Sequence, residues 1–166
     1  MTTDSDKPHL SHLGPRGDAR MVDISAKAVT VREATASSVV EMRAEVLDAI
    51  MSRTLPKGDA LAAARIAGIQ VAKRTDEWIP LCHSIPLDQV TLSFEKTAPG
   101  ELTISCTAKA TARTGVEMEA LTGVAAASLT IYDMAKSADK AIRIGPIQLE
   151  RKSGGRSGDF VRSTDS

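Results

Sequence analysis

An acidic and a basic residue near the end of a long apolar stretch are the first candidates for chemistry. Asp133 and Lys136 stand three residues apart, so they share one face if the stretch is helical. An intrahelical ion pair would explain them and would contribute only about 0.3 kcal/mol. A catalytic acid–base pair would also explain them, and it would account for two costly charges in an apolar helix. That cost favours the catalytic explanation, although the spacing alone allows both.

A second set of candidates lies in segments that contain glycine or proline. Lys57 precedes Gly58-Asp59, and a lysine at the start of a helix would help to bind an anion. The alternative is a simple turn with an N-cap and a solvated lysine. The stretch Leu81-Cys82-His83 lies between two prolines, where the histidine could contact a ligand or transfer protons. Equally, it could bind a backbone carbonyl beside a buried cysteine, and no third group of a Cys–His nucleophile is evident.

Two carboxylates stand at the beginning of the same long apolar stretch. Glu117 follows Thr114 by three residues, which is the spacing of a capping box at a helix start. Glu119 would lie in the first turn, where the helix dipole favours a negative charge. Each residue has a structural explanation, so neither identifies a site by itself.

Basic residues near both ends of the chain could form an anion site. The tail over residues 152–158, KSGGRSG, is either a disordered terminus or a loop that closes over phosphates with backbone N–H groups, Lys152 and Arg156. It lacks the GxxxxGK[ST] spacing of a Walker A loop. Three basic residues and one acid lie near the first predicted strand: Arg20, Asp23, Lys27 and Arg32.

The composition opposes several classes of protein. The 166 residues carry 21 basic and 21 acidic side chains, so the net charge is zero and any anion site must be local. Zero net charge opposes non-specific binding to nucleic acid, and the scarcity of aromatic residues opposes a base-stacking surface. Cys82 and Cys106 make a poor disulfide framework, and no Cys/His spacing fits zinc.

Length and hydropathy indicate where the protein acts. The chain has a single-domain length, and it lacks any run of roughly 18 apolar residues that would indicate a membrane helix. The first ten residues lack the basic start and apolar run of a signal peptide. We therefore expect a cytoplasmic protein with no membrane partner.

The hydrophobic pattern predicts the elements that must position these residues. A short strand is expected over residues 28–32, and a capping box at residues 38–41 predicts a helix to about residue 53. Asp59 is expected to cap a second helix that runs to about residue 74. The remaining elements are an irregular segment over 75–88, a hairpin of strands at 90–94 and 102–108, a long helix from 114–117 to about 139, and a strand over 142–149 bent at Gly145-Pro146.

The order strand, helix, helix, hairpin, helix, strand resembles the ferredoxin-like β-α-β-β-α-β pattern with one extra helix. We therefore predict an α+β fold in which helices pack on one face of an antiparallel sheet. A single catalytic domain would span residues 21–151. It would follow a flexible N-terminal arm over 1–20 and precede a Gly/Ser-rich basic loop and tail over 152–166.

The predicted long helix is apolar or small on nearly every face over residues 120–135, ALTGVAAASLTIYDMA. Such a helix is buried all round, so in a small domain one side is expected to meet another subunit. Glu117 and Asp133 are 16 residues apart (133 − 117), or about 24 Å along a straight helix and about 160° around its axis. They cannot reach one substrate together. If both serve catalysis, each site combines residues from two subunits.

Several segments together are similar to one known family. They are MVDISAK (21–27), KGDALAAARIAGIQVAKRT (57–75), IPLCH (79–83), TGVEMEALTGVAAASLTIYDMAK (114–136) and KSGGRSGD (152–159). These stretches resemble the molybdenum cofactor biosynthesis protein C family, the cyclic pyranopterin monophosphate synthases. They extend over nearly the whole chain, and TGVEMEALT and LTIYDM are long and unusual in composition.

The resemblance implies a ferredoxin-like subunit of a homohexamer built as a trimer of dimers. It implies a lyase that converts 3′,8-cyclo-7,8-dihydroguanosine 5′-triphosphate, a GTP derivative made by an upstream radical enzyme, into cyclic pyranopterin monophosphate with release of diphosphate. No protein metal site is expected, and a divalent cation could be carried by the substrate phosphates.

The resemblance also implies roles for individual residues. Asp133 matches the catalytic residue of the family, with Lys57 and Lys136 as active-site lysines. The positions that match the substrate-binding stretches, accompany them or supply cations for the triphosphate are Asp23, Lys27, Arg32, Leu81, Cys82, His83, Glu117, Met118, Glu119, Lys152 and Arg156.

Three positions depart from residues that are common in the family. Ser84 stands where proline is common, Ala135 where cysteine is common, and Arg156 where lysine is common. Ser84 could reshape the loop without removing the preceding imidazole, and Ala135 excludes a required thiol at that position. Arg156 keeps both the charge and a donor for phosphate.

Two other classes of function stay open on the sequence. A non-catalytic nucleotide-sensing oligomer would explain the basic residues and the buried helix, although it would not need Asp133 beside Lys136. A small nucleic-acid-binding module would share the topology, but zero net charge and few aromatic residues oppose it.

Overall fold

A computed structural model describes residues 18–156 and 158–163 of the chain. Of the flexible arm predicted over 1–20, residues 1–17 lie outside the described part. Within the described residues the elements follow in this order: β1 (Thr30–Glu41), α1 (Ala44–Met51), α2 (Ala60–Ala72), α3 (Thr75–Trp78), β2 (Gln89–Ala98), β3 (Glu101–Ala112), α4 (Glu117–Ala135), β4 (Arg143–Ile144), β5 (Gln148–Ser153) and β6 (Phe160–Val161).

The strands form one antiparallel sheet in the order β2-β3-β1-β5-β6, with the short β4 also paired to β1. The hairpin β2–β3 lies beside β1, and the last long strand lies on the other side of β1. This is the ferredoxin-like arrangement of four strands with a short strand added at the edge. The predicted α+β ferredoxin-like fold is confirmed.

The helices cover one face of this sheet. Residues of β1 alternate between buried and half-exposed positions, and the buried set from Ala34 to Val40 points toward the helices. Helix α4 packs on β1 and β3, while α2 packs on β2 and on α4. The largest side chains that are fully buried in the resulting core are Val40, Leu47, Ile50, Leu102, Ile104, Val116, Val124 and Ile131.

The predicted start of the helix over 38–53 is wrong, because residues 38–41 belong to β1 and α1 begins only at Ala44. The strand pairs with β3 without interruption from Thr30 opposite Ala112 to Glu41 opposite Glu101. Ser38 is fully buried in this ladder and caps no helix. A pairing with residues about 60 positions away, favoured by the β-branched pair Val39-Val40, outweighs a local capping pattern.

The predicted capping box at the start of the long helix is also wrong. Val116 is the N-cap and makes no side-chain capping bond, while the carboxylate of Glu117 pairs with Lys152. The helix ends at Ala135 instead of near 139, because Asp139 turns back to accept the backbone N–H groups of Arg43 and Ala141.

Of the remaining predicted elements, some are confirmed and others have different bounds. The helix capped by Asp59 and the hairpin are confirmed, as is the break near Gly145-Pro146, which falls between β4 and β5. The segment over 75–88 is not wholly irregular, since it contains α3. The last strand continues past 149 to Ser153, because β5 pairs with β1 on one side and with β6 on the other.

Helices α2 and α4 touch through glycine. A Cβ atom placed on Gly68 would lie 2.6 Å from Leu92 Cδ2 and 2.9 Å from the carbonyl oxygen of Gly123. The two helices are antiparallel, because Lys57 before α2 meets Asp133 near the end of α4, while Thr75 after α2 hydrogen-bonds to Thr122. The glycine contact therefore holds the second half of α2 against the first half of α4, and the antiparallel direction leaves the start of α2 beside the end of α4.

We predict that Gly68→Ala destabilises the protein by about 1–3 kcal/mol, because the added methyl group clashes with a neighbouring backbone. An unconstrained glycine in a helix would instead give a gain of roughly 1 kcal/mol when replaced by alanine. Denaturant unfolding measures the difference, with the exposed Gln70→Ala on the same helix as a control that should change stability by less than about 0.5 kcal/mol. A Gly68→Ala protein as stable as the wild type would contradict the close contact.

Candidate active site

Three charged side chains meet where the start of α2 reaches the end of α4, and we call them the lysine–aspartate cluster. Lys57 Nζ donates hydrogen bonds to the backbone carbonyl of Asp133 at 2.8 Å and to its carboxylate Oδ2 at 3.4 Å. Lys136 Nζ donates to Asp133 Oδ1 at 2.5 Å. The hydrogen bond and charge of Lys136, followed by those of Lys57, lower the pKa of Asp133, and Asp133 in turn raises the pKa of Lys136. Asp133 is therefore held as a carboxylate between two ammonium groups.

Local structure explains how Lys57 reaches this cluster. Gly58 has a φ of 97°, a left-handed conformation that favours glycine. Asp59 then accepts the backbone N–H of Ala62 at 2.9 Å, so α2 begins at a defined residue. Because α2 is antiparallel to α4, the lysine two residues before the cap lies beside the end of α4.

The other end of α4 borders a cavity of about 960 Å³, which we call the larger cavity. Its walls come from residues within three segments: 26–33, 113–117 and 152–156. The cationic side chains in these walls are Lys27, Arg32, Arg113, Lys152 and Arg156.

Two carboxylates also border the larger cavity, and each is already neutralised by a cation. Glu117 Oε1 accepts from Lys152 Nζ at 2.9 Å, with both side chains about three-quarters buried. Glu33 Oε1 pairs with Arg151 at 2.8 Å. The remaining cations give the cavity a positive charge in a protein whose net charge is zero, so it can hold an anionic ligand.

Arg32 holds two walls of the larger cavity together. It is only 9% exposed, and its guanidinium donates to three backbone carbonyls. Nε bonds to Ala112 at 3.4 Å, Nη2 to Arg113 at 3.4 Å and Nη1 to Gly154 at 3.2 Å. The end of β3 and the turn after β5 are thereby joined through one side chain.

A smaller cavity of about 330 Å³ adjoins the first one, and both are lined by Lys27, Thr114, Gly115 and Glu117. Its other walls come from residues 81–85, Met118-Glu119 and the segment that contains Val22. The imidazole of His83 is tied to that segment, because its Nε2 lies 2.7 Å from the carbonyl oxygen of Val22. A carbonyl can only accept, so Nε2 carries the proton and donates it.

Glu119 is the most perturbed acid of the smaller cavity. Its side chain is 4% exposed, and burial raises its pKa to about 7, with the carboxylates of Glu117 and Asp76 adding to the rise. Such a group both gives and takes protons near neutral pH. Burial, followed by the charges of Glu119 and Asp76, also raises the pKa of the Cys82 thiol, which opposes a thiolate nucleophile there.

Comparison with known proteins decides the family. Residues 21–155 match the sequence model of the MoaC family. The chain is 54% identical over 153 residues to cyclic pyranopterin monophosphate synthase 3 of Mycobacterium tuberculosis, covering 92% of this chain and 86% of that protein. It is 52% identical over 153 residues to the cyclic pyranopterin monophosphate synthase of Desulfitobacterium hafniense, covering 92% and 94%. The chain belongs to the MoaC family.

The structure of this MoaC-family protein brings the predicted site residues together in two places. Asp133, Lys136 and Lys57 form the lysine–aspartate cluster. Around the two cavities lie ten further predicted residues: Lys27, Arg32, Leu81, Cys82, His83, Glu117, Met118, Glu119, Lys152 and Arg156. Asp23 lines neither cavity, because its carboxylate accepts the backbone N–H of Ser25 at 2.8 Å in a local turn.

The two places are far apart on one helix. Glu117 is the first residue of α4 and Asp133 lies 16 residues later, which corresponds to about 24 Å along the axis. The helix is continuous between them. A small substrate in the cavities therefore cannot reach the lysine–aspartate cluster of the same chain.

Sequence reasoning missed Arg113 and the carbonyl of Val22, which border the two cavities. Arg113 immediately precedes the Thr114-Gly115 turn, and a basic residue there was the available signal. No feature of the sequence indicates the carbonyl of Val22, because only the fold brings it to His83.

The described residues contain neither a cluster of metal ligands nor a membrane-spanning helix. Within the ranges 18–156 and 158–163, no group of three or more His, Cys, Asp or Glu side chains could hold a metal ion. Over the same part of the chain, no helix is long and apolar enough to span a membrane.

Glu119 makes the stability of the protein depend on pH. Its pKa rises from 4.5 to about 7 on folding, so the folded state binds more protons between these values and loses stability as pH increases through this range. We predict that Glu119→Gln, which cannot ionise, gains stability relative to the wild type from pH 4.5 to pH 8, by roughly 3 kcal/mol. Urea unfolding at several pH values measures this gain. Parallel profiles for the two proteins would show that Glu119 does not carry the raised pKa.

Proposed function

We propose that this protein converts 3′,8-cyclo-7,8-dihydroguanosine 5′-triphosphate into cyclic pyranopterin monophosphate and diphosphate, a step of molybdenum cofactor biosynthesis. The observation that supports it best is the pair of adjoining cavities, one walled by cations and one by His83 and Glu119. A nucleoside triphosphate has the same division, with an anionic chain at one end and a base at the other. The relatives named above as cyclic pyranopterin monophosphate synthases agree with this assignment.

In the larger cavity, the protein would bind and stabilise the phosphates. Forming the cyclic phosphate requires a sugar hydroxyl to attack the α-phosphorus while diphosphate leaves. Cations that hold the leaving diphosphate lower the cost of its developing charge, which is the main contribution a protein can make to such a step. Lys27 and Arg156 supply such cations, and Arg32 has further N–H groups beyond its three carbonyl bonds.

In the smaller cavity, the protein would bind and protonate the base. Opening the guanine-derived ring and closing the pterin ring require protons to be taken up and released. Glu119 suits this exchange, because its pKa of about 7 lies close to neutral pH. His83 donates from Nε2 to Val22, so Nδ1 is the ring nitrogen left to interact with the base.

We assign Asp133 as a catalytic residue with Lys57 and Lys136, in a site shared between subunits. Because the lysine–aspartate cluster lies about 24 Å from Glu117 along α4, a second copy of the chain would have to bring its cluster to these cavities. One apolar face of α4 is not fully covered by the rest of the chain, which supports such an assembly. Leu129 is 54% exposed, and Ala125 lies four residues before it on the same face of the helix. We propose a homohexamer, built as a trimer of dimers.

The proposal also includes a location in the cell and a divalent cation. The substrate derives from GTP through an upstream radical enzyme, so we place the protein in the cytoplasm, where GTP is available. A divalent cation would come with the substrate phosphates, which offer the oxygen ligands such ions prefer.

The first test of the proposal is turnover of 3′,8-cyclo-7,8-dihydroguanosine 5′-triphosphate by the purified protein. Diphosphate and an oxidisable pterin should appear together, and Asp133→Asn should lower kcat by about 100-fold or more because the carboxylate is lost. Circular dichroism checks that the variant is folded. Folded wild-type protein that forms neither product would contradict the proposal, and tight binding without turnover would indicate a nucleotide sensor.

The second test asks whether the sites are shared. Glu117→Ala and Asp133→Ala proteins, each inactive alone, are mixed under conditions that allow subunit exchange. Sites that take Glu117 from one subunit and Asp133 from another should be restored in roughly one quarter of cases at equal mixing. Native mass spectrometry confirms that mixed oligomers form. If they form and activity stays absent, each site is contained within one subunit.

A further inference from the structure

The cations around the larger cavity differ in what they already bind. Arg32 donates to three carbonyls, and Lys152 donates to Glu117. The side chain of Arg113, by contrast, makes no hydrogen bond or ion pair with any residue in 18–156 or 158–163, and the same is true of Lys27 and Arg156. Three charged groups that have no partner within the described part of the chain therefore border a single cavity.

We infer that Arg113 is a phosphate-binding residue of the active site and that Arg32 positions it. The ligand is the phosphate chain of a nucleoside triphosphate or the diphosphate released from it. The identity of that ligand rests on the proposed function, whereas the requirement for a polyanion rests on the charges alone.

The charge around the cavity supports a polyanion. Five cations line it, and one of them, Lys152, is offset by Glu117, which leaves four positive charges (5 − 1). The other lining carboxylate, Glu33, is offset from outside by Arg151. Four uncompensated cations around one cavity are unfavourable without an anion, and a di- or triphosphate provides several negative charges in a compact group.

Arg32 determines where Arg113 stands. Its Nε and Nη2 donate to the carbonyls of Ala112 and Arg113, so they hold the backbone at the end of β3. Its Nη1 donates to the carbonyl of Gly154, two residues before Arg156. One buried side chain thus joins the backbone that carries Arg113 to the backbone that carries Arg156, and it holds these two cations on different walls of the cavity.

The turn after β5 packs closely against Arg32. Gly154 and Gly155 have φ values of 90° and 84°, which favour glycine. A Cβ atom on Gly155 would lie 1.6 Å from Nη1 of Arg32, so no larger residue fits while the guanidinium keeps its place. Gly154 and Gly155 therefore leave room for the guanidinium of Arg32, in addition to any direct contact that their backbone makes with phosphate.

Binding of inorganic diphosphate, measured by calorimetry on the full chain, tests the inference without requiring turnover. Arg113→Ala should weaken binding at least about tenfold, because a charge-assisted contact to the phosphate is lost. Arg113→Lys should recover most of that loss, since it restores the charge but not the bidentate geometry. The Arg113 side chain is exposed and has no partner among the described residues, so its loss should not lower the melting temperature of the ligand-free protein.

The matched control is Arg143→Ala. Arg143 pairs with Glu41 at the opposite end of β1, about 30 Å from Arg32, so its loss removes the same charge far from the cavity. It should leave the affinity for diphosphate unchanged. An Arg113→Ala protein that binds diphosphate as tightly as the wild type, or a wild type that does not bind diphosphate, would overturn the inference.

The positioning role of Arg32 is tested by combining variants. Arg32→Lys keeps the charge but cannot donate to three carbonyls, so it should weaken diphosphate binding. If Arg32 acts through Arg113, the effect of Arg113→Ala should become smaller in the Arg32→Lys background, whereas independent effects would multiply. Multiplying effects would overturn the positioning role. Should Arg32→Lys fail to fold, the Arg113 variants still decide the main inference.

This experiment separates the inference from the proposed function. Loss of diphosphate binding in Arg113→Ala, together with a failure of the wild type to convert the cyclised substrate, would leave the phosphate site in place and remove the assigned reaction. Turnover by the wild type with unchanged diphosphate binding in Arg113→Ala would support the assigned reaction and remove the phosphate-binding role of Arg113.

Discussion

Helix α4 is a continuous rod of 19 residues, roughly 28 Å long, and it separates the two groups of candidate site residues. Its first residue, Glu117, borders both cavities, while Asp133 lies near its other end. Because the helix cannot bend one end toward the other, the two groups of polar residues face different regions of space. The functional unit that we propose is therefore an assembly of chains, and each helix contributes to two sites.

Packing around α4 decides which residues join each group. Near one end, antiparallel packing of α2 on α4 and the cap at Asp59 bring Lys57 to Asp133, and the close contact of Gly68 with Gly123 sets the separation of the two helices. At the other end, the sheet brings β1, β3 and β5 side by side, so that Arg32 can hold the ends of β3 and β5 together. Both arrangements depend on backbone contacts between segments that are distant in sequence. The charged side chains are added to a framework that small residues and strand pairing have already set.

Much of this framework could be predicted from the sequence, and the exceptions share a cause. The hairpin, α2 with its Asp59 cap and the order of elements were predictable because their patterns are local. Residues 38–41 and 114–117 both carry a capping-box pattern, yet neither forms one. The first segment pairs with β3 as part of a strand, and Glu117 forms an ion pair with Lys152 instead of a capping bond. Arg113 had a local signal in the following Thr114-Gly115, but its place beside the cavity depends on the distant Arg32.

The most direct measurement is a crystal structure of the assembled protein with an analogue of the cyclised substrate in which a methylene group replaces the oxygen between the α- and β-phosphorus atoms. The account predicts that the phosphates contact Lys27, Arg113 and Arg156 of one protomer, the base lies near Glu119 of that protomer, and a second protomer provides Asp133. An analogue that contacts Glu117 and Asp133 of the same protomer would contradict it.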